Sequence, residues 1–91
     1  MYATKIKMKS GCNGSMSLTE IDEIYIMGNA LTGYYKKEYL HSYLQMYPNS
    51  IQVYIYPYPY LVPAESKYEE KYVRSQPNNI QNDNLLNLPR E

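Results

Sequence analysis

The chain has 91 residues, with nine basic side chains against nine acidic ones, thirteen tyrosines, and neither phenylalanine nor tryptophan. A chain of this length is expected to form a single domain, residues 1–91, around one modest core. Zero net charge excludes a global field that would gather nucleic acid or an anionic membrane. Cys12 is the only cysteine, which excludes an internal disulfide and a cysteine metal cage within one chain. No apolar run reaches signal-peptide or membrane-span length, so a cytoplasmic protein is expected.

Residues 2–9 alternate, with Thr4, Ile6 and Met8 on one side and Lys5, Lys7 and Lys9 on the other, which predicts a strand with one wet face. The turn formers at 10–15, including Asn13-Gly14, predict a hairpin loop. Residues 18–27 are rich in strand formers, but the alternation slips between Ile21 and Ile24. One extra residue near Asp22-Glu23 restores the phase, which predicts a bulge there. Glu20 and Asp22 are then expected to pair across the strands with Lys5, Lys7 and Lys9.

Gly28-Asn29 ends this strand, and Thr32 is expected to cap a helix over residues 33–46. Tyr39, Leu40, Tyr43, Leu44 and Tyr47 fall at helical spacing, which leaves Lys36, Lys37, Glu38 and Gln45 for solvent. His41 is expected at the surface or in an interface. Pro48-Asn49-Ser50 stops the helix.

Residues 51–62 read as an extended segment in which Tyr54, Tyr56, Tyr58 and Tyr60 recur at every second position. On a strand that spacing puts all four rings on one side. Pro57, Pro59 and Pro63 lack N–H groups along one edge, so the segment is expected at a sheet edge or leaving the sheet from Pro57 onward. Residues 61–64 and 71–75 flank a charged turn and predict a second hairpin. Residues 76–84 are too polar to pack and predict a loop. Leu85, Leu86 and Leu88 within residues 85–89 are expected to fold back onto the core, since full burial of each stabilises by roughly 1.5–3 kcal/mol. The fold class expected is α+β, a small antiparallel sheet of four or five strands with one helix on one face, in the order ββαββ.

The run from Lys71 through Tyr72, Val73, Arg74 and Ser75, a polar loop, and then Asp83-Asn84-Leu85-Leu86-Asn87-Leu88-Pro89 resembles the C-terminal half of a family of small bacterial proteins built on a domain of unknown function. The resemblance implies the fold and a bacterial or phage origin. The role expected for the tail is structural, with Arg74 either pairing with Asp83 or bonding tail carbonyls and Leu85, Leu86 and Leu88 locking the last segment against the helix. The resemblance supplies no catalytic residue.

Reactive groups are few. Cys12 and His41 are the only candidates for a nucleophilic pair, and nothing in their placement brings them together. Glu20, Asp22 and Glu23 lack the Asp-x-Asx-x-Asx-Gly spacing of a calcium loop, and residues 10–15 lack the Gly-Lys-Ser/Thr ending of a phosphate cradle. No catalytic residue, metal or cofactor is expected. Nucleic acid is disfavoured because residues 51–62 hold no basic residue beside their tyrosines. The expectation is a non-enzymatic interaction module and homo-oligomer, with Tyr54, Tyr56, Tyr58, Tyr60, Pro57 and Pro59 as the binding surface for protein recognition or self-assembly. The alternative is a nucleotide-like ligand, or the role of a phage or mobile-element inhibitor, with Lys36, Lys37 and Arg74 meeting the ligand's charge in a tyrosine-lined pocket between subunits.

Overall fold

A computed structural model describes residues 1–77 and 83–91. The elements are β1 (Tyr2–Met8), β2 (Ile21–Met27), β3 (Gly33–Lys36), α1 (Lys37–Met46), β4 (Gln52–Val53), β5 (Leu61–Glu65) and β6 (Lys71–Ser75), with short 3-10 turns at Leu18–Glu20 and Asn84–Asn87. The fold is α+β. It holds a four-stranded sheet in the order β3-β2-β1-β4 and a separate two-stranded sheet of β5 and β6.

β1 and β2 form the expected antiparallel hairpin, and the bulge lies where the slipped phase put it. Lys7 pairs with Glu23 while Met8 pairs with Ile21, which leaves Asp22 as the extra residue. A second irregularity was not legible. Ala3 pairs with Ile26 and Lys5 with Tyr25, so Thr4 is extra on β1. Ala3, rather than Thr4, therefore joins Ile6 and Met8 in the core.

The sheet departs from the antiparallel expectation at β4, which runs parallel to β1 through Tyr2↔Gln52 and Ala3↔Val53. The cause is the long return through β3 and α1, which brings the chain back in the direction in which β1 started. β3 is a further departure. Residues 33–36 were expected to open the helix, but Tyr34 and Tyr35 pair with Tyr25 and Ile24, and aromatic side chains favour a pleated, half-buried surface. Gly33 enters the strand at φ 125°, a conformation open to glycine. The helix starts at Lys37 without a side-chain cap, and Thr32 instead donates its hydroxyl to the Gly28 carbonyl at 2.8 Å.

The buried stripe of α1 is Lys37, Leu40, His41 and Leu44, not the tyrosine stripe that size and spacing suggested. Leu40 and Leu44 reach the core with Ile6, Ile24, Ile26, Leu61 and Val73, while α1 lies against β5 and β6 as well as β2 and β3. His41 is buried too, its Nδ1 3.0 Å from the Tyr72 carbonyl on β6. Lys37, expected in solvent, has a side chain only 2% exposed, and its ammonium meets Glu38 at 3.0 Å and Glu70 at 3.4 Å. A long stem lets a lysine lie in a core position while its charge reaches carboxylates at the rim.

The second hairpin pairs Leu61 with Ser75 and Glu65 with Lys71. The loop expected over residues 76–84 falls largely on 78–82, outside the described residues. Beyond it Leu85, Leu86 and Leu88 are buried. The chain then runs beside β1, where the Ile6 amide donates to the Pro89 carbonyl at 2.9 Å and the Glu91 amide to the Ile6 carbonyl at 3.1 Å. Among the described residues, no helix is long and apolar enough to cross a membrane.

The expected ion pairs between β1 and β2 give way to pairs with other elements. Lys5 pairs with Glu91, Lys9 with Glu70, and Lys36 with Asp22. The Lys9 hydrogen bond is the main cause holding the Glu70 carboxyl below its ordinary range. Glu91 is held low first by Tyr34 and then by Lys5, and Glu20 first by Ser15 and then by Cys12. A carboxylate whose pKa falls on folding adds stability above its unfolded value, and that stability is lost as pH drops through the folded value. The expected melting temperature is therefore flat around neutrality and declines below pH 4.5, the ordinary value for these groups. Calorimetry across pH 2–8 checks this, and Glu70→Gln should flatten part of the acid slope.

Candidate functional site

The tyrosine-rich segment is not a strand with four rings on one side. Only Gln52–Val53 is extended in the sheet, and residues 54–60 form a projecting loop before β5 begins. The loop contains a cis Tyr56-Pro57 peptide and places Tyr58 at φ 59°, a left-handed conformation rarely taken by bulky residues. Such a residue costs of order 1–3 kcal/mol and persists where its surroundings hold it.

The hold is visible in the hydrogen bonds. The Tyr58 amide donates to the Ile55 carbonyl at 2.7 Å, and the Val53 amide to the Pro59 carbonyl at 2.8 Å. The Gln52 side-chain amide donates to the Tyr58 carbonyl at 3.1 Å. From the tail, the fully buried Asn84 points its Nδ2 at the carbonyls of Ile55 and Tyr56, at 3.5 and 3.4 Å. Asn84 is in turn placed by Asp83, whose carboxylate accepts from the Ser75 amide at 3.2 Å and the Leu85 amide at 2.9 Å. A side-chain acceptor at this position caps the following turn. The tail pattern included Asn84, but composition and spacing did not mark it as a support for the tyrosine loop.

The held loop gathers rings. Tyr54 lies 6.0 Å from Tyr58, and Tyr56 lies 6.1 Å from Tyr58 in an edge arrangement. Tyr2, which the sequence did not single out, joins them with its ring 5.0 Å from Tyr54. Such ring pairs add about 0.5–1.5 kcal/mol beyond their buried area. All four stay exposed, Tyr56 most of all at 78%, and Met27 nearby is exposed as well. Tyr2, Thr4, Met27 and Tyr54 enclose a small cleft of ≈ 290 Å³. Tyr60 is exposed but stands at the root of the loop, bridged to Gln52.

The three cations considered for ligand charge do not face this cluster as free groups. Lys36 has Asp22 at 3.0 Å, Lys37 has Glu38 and Glu70, and Arg74 has Asp83 at 3.9 Å. The Arg74–Asp83 contact is one of the two roles expected for Arg74. On the outer face of the sheet, Lys5 lies over the Tyr25 ring at 5.2 Å and Lys7 over Tyr34 at 5.8 Å. Burial, and then the neighbouring Glu91 carboxylate, push the Tyr34 phenol up to about 12. Cys12 hydrogen-bonds to Glu20 at 3.1 Å, which is the chief reason its thiol pKa is raised, and a raised thiol pKa weakens it as a nucleophile near neutrality.

The decisive comparison falls on this part of the chain. Residues 58–89 match the model of a family described as a protein of unknown function, DUF3892. No curated protein and no solved structure matches the chain. The DUF3892 match opens inside the tyrosine loop at Tyr58 and runs through β5 and β6 to Pro89. It therefore takes in both Asp83 and Asn84 together with the three buried leucines.

Proposed function

We propose that this chain is a non-enzymatic interaction module of the cytoplasm, whose tyrosine loop serves as a contact surface for protein recognition or self-assembly. One observation carries the reading. Tyr54, Tyr56 and Tyr58, with Tyr2 beside them, stand exposed on a loop whose backbone is held by hydrogen bonds from Gln52 and Asn84. Tyrosine offers large apolar area, one hydroxyl and few rotors to freeze, and a held loop has less freedom left to lose on binding. Pro57 and Pro59 shape the loop, and Tyr60 marks its end. The ligand-capturing alternative draws on Lys36, Lys37 and Arg74, each of which already has a carboxylate partner. That favours the contact surface.

The test is native mass spectrometry beside a Tyr56→Ala, Tyr58→Ala double variant. The expected result is an oligomer of unmodified mass whose dissociation constant rises at least tenfold in the variant, while the melting temperature stays within a few degrees. An oligomer carrying a reproducible extra mass of a few hundred daltons would transfer the argument to the ligand. Collapse of the double variant would show that the rings hold the fold rather than a partner.

A further inference from the structure

The helix carries a second aromatic surface flanking its core-facing side, with Tyr35 and Tyr43 partly packed against the core. With Lys37, Leu40, His41 and Leu44 turned inward, the side chains of Tyr39, Ser42, Tyr43, Met46 and Tyr47 line a shallow groove of ≈ 370 Å³. Tyr39, Met46 and Tyr47 are at least half exposed. Two ring pairs build its walls. Tyr35 stacks on Tyr39 with centroids 5.3 Å apart, and Tyr43 leans on Tyr47 at 5.0 Å. No lining residue is charged.

The molecule holds one feature of matching chemistry. Residues 50–64 contain no charged side chain, and within them the loop at 54–60 offers exposed tyrosines separated by prolines. We propose that the α1 groove receives the loop of a second copy of this chain, with Tyr56 as the leading side chain. The inference rests on the reading of the loop as a contact surface and adds the surface it contacts. Three physical points support it. A neutral knob entering a neutral groove desolvates no charge, the term that makes polar interfaces costly. A groove walled by tyrosine rings and Met46 suits an incoming tyrosine, since rings pair edge-on or offset and a thioether packs against a ring edge. The chain's zero net charge leaves no global repulsion between copies.

Because knob and groove are different surfaces, two copies either exchange them reciprocally about a two-fold axis or pass them head to tail, and the head-to-tail contact closes into a ring or propagates as a chain.

That asymmetry supplies the test, using the full chain. Ser42→Arg places a bulky charge in the groove at an exposed site, and Tyr56→Asp places a charge at the tip of the loop. Circular dichroism melts establish that both variants are folded, and light scattering coupled to size exclusion reads their mass over a range of concentrations. The wild type should associate, each variant alone should be monomeric, and an equimolar mixture should recover a one-to-one heterodimer, since each variant supplies the surface that the other lacks. If Tyr56→Asp is monomeric while Ser42→Arg associates like the wild type, the groove assignment falls and the loop reading survives. If both variants associate like the wild type, both readings fall. A wild type that is monomeric at every concentration removes the second copy as occupant. Binding of a foreign proline–tyrosine protein to the groove in that case also overturns the proposal.

Discussion

Leu85→Ala should cost about 2–5 kcal/mol, the range for emptying a leucine site in a packed core. Leu85 is fully buried and joins Ile6, Leu61 and Val73 in one cluster. A domain of this size has a total stability on the order of 5–15 kcal/mol, and each kcal/mol corresponds to about 4–8 °C in melting temperature. The expected fall is therefore about 8–40 °C. The effect should exceed simple volume loss, because Leu85 sits between two polar anchors: its amide is bound by Asp83, and Asn84 beside it supports the tyrosine loop. Tyr68→Ala, at the most exposed tyrosine, is the control and should move stability by no more than about 0.5 kcal/mol. Thermal denaturation of the two variants beside the wild type decides. A Leu85→Ala loss as small as the control's would mean that the tail is not part of the cooperative unit.

The second large effect concerns the Lys37 ammonium. Glu70 touches both Lys9 and Lys37 at 3.1 and 3.4 Å, so Glu70→Ala leaves a buried lysine with Glu38 alone. Breaking a buried pair by removing one partner costs about 3–5 kcal/mol. Glu70 itself is more than a third exposed and Glu38 remains, which lowers the expectation to about 1–3 kcal/mol. Lys37→Met behaves differently, since it removes the charge and keeps the stem. Replacing a buried ion pair by apolar volume is often neutral or stabilising. Urea titrations should therefore show a loss for Glu70→Ala, none for Lys37→Met, and a double variant that recovers most of the loss. Equal losses in both single variants would mean that the pair stabilises on its own account.

The parts of the fold that could be read from the sequence were those written in local periodicity. The slip between Ile21 and Ile24 was enough to place the Asp22 bulge, because the side-chain period of a strand is two and an extra residue shows at once. The Thr4 bulge left no such mark: Thr4 fits the alternation with Ile6 and Met8, and only pairing with β2 brings Ala3 inward. α1 was legible as a helix but not in its rotation. Tyrosines 39, 43 and 47 are large and correctly spaced, yet Lys37 and His41 hold the inner positions because the Glu70 carboxylate and the Tyr72 carbonyl, both far along the chain, accept them. Tertiary partners of that kind have no trace in the composition of a helix.

The candidate site was half legible. The tyrosines and prolines drew attention to residues 54–60, and the prolines left two courses open, a sheet edge or an exit from the sheet at Pro57, of which the chain takes neither as an extended strand. The one-sided row assumed an extended backbone, whereas the loop is shaped by carbonyl contacts from Gln52 and Asn84. One of these donors lies close in sequence and the other nearly thirty residues away, so neither the cluster's form nor the part played by Tyr2 followed from spacing.

The pairing of Ile6 with Pro89 and Glu91 bears on how the domain comes to be made. β1 leaves a ribosome well before the segment that satisfies its remaining edge, which lies more than eighty residues further along the chain. Until synthesis reaches Glu91, the middle of β1 has one neighbour in β2 and an open row of backbone donors and acceptors on the other side. Nascent chains in that state are templates for strand pairing with one another. Closing so long a loop is a late and comparatively slow event. Stalled chains ending before Leu85 should therefore be more protease-sensitive and more prone to aggregate than chains that extend through Glu91, a difference that limited proteolysis of ribosome-bound chains measures directly.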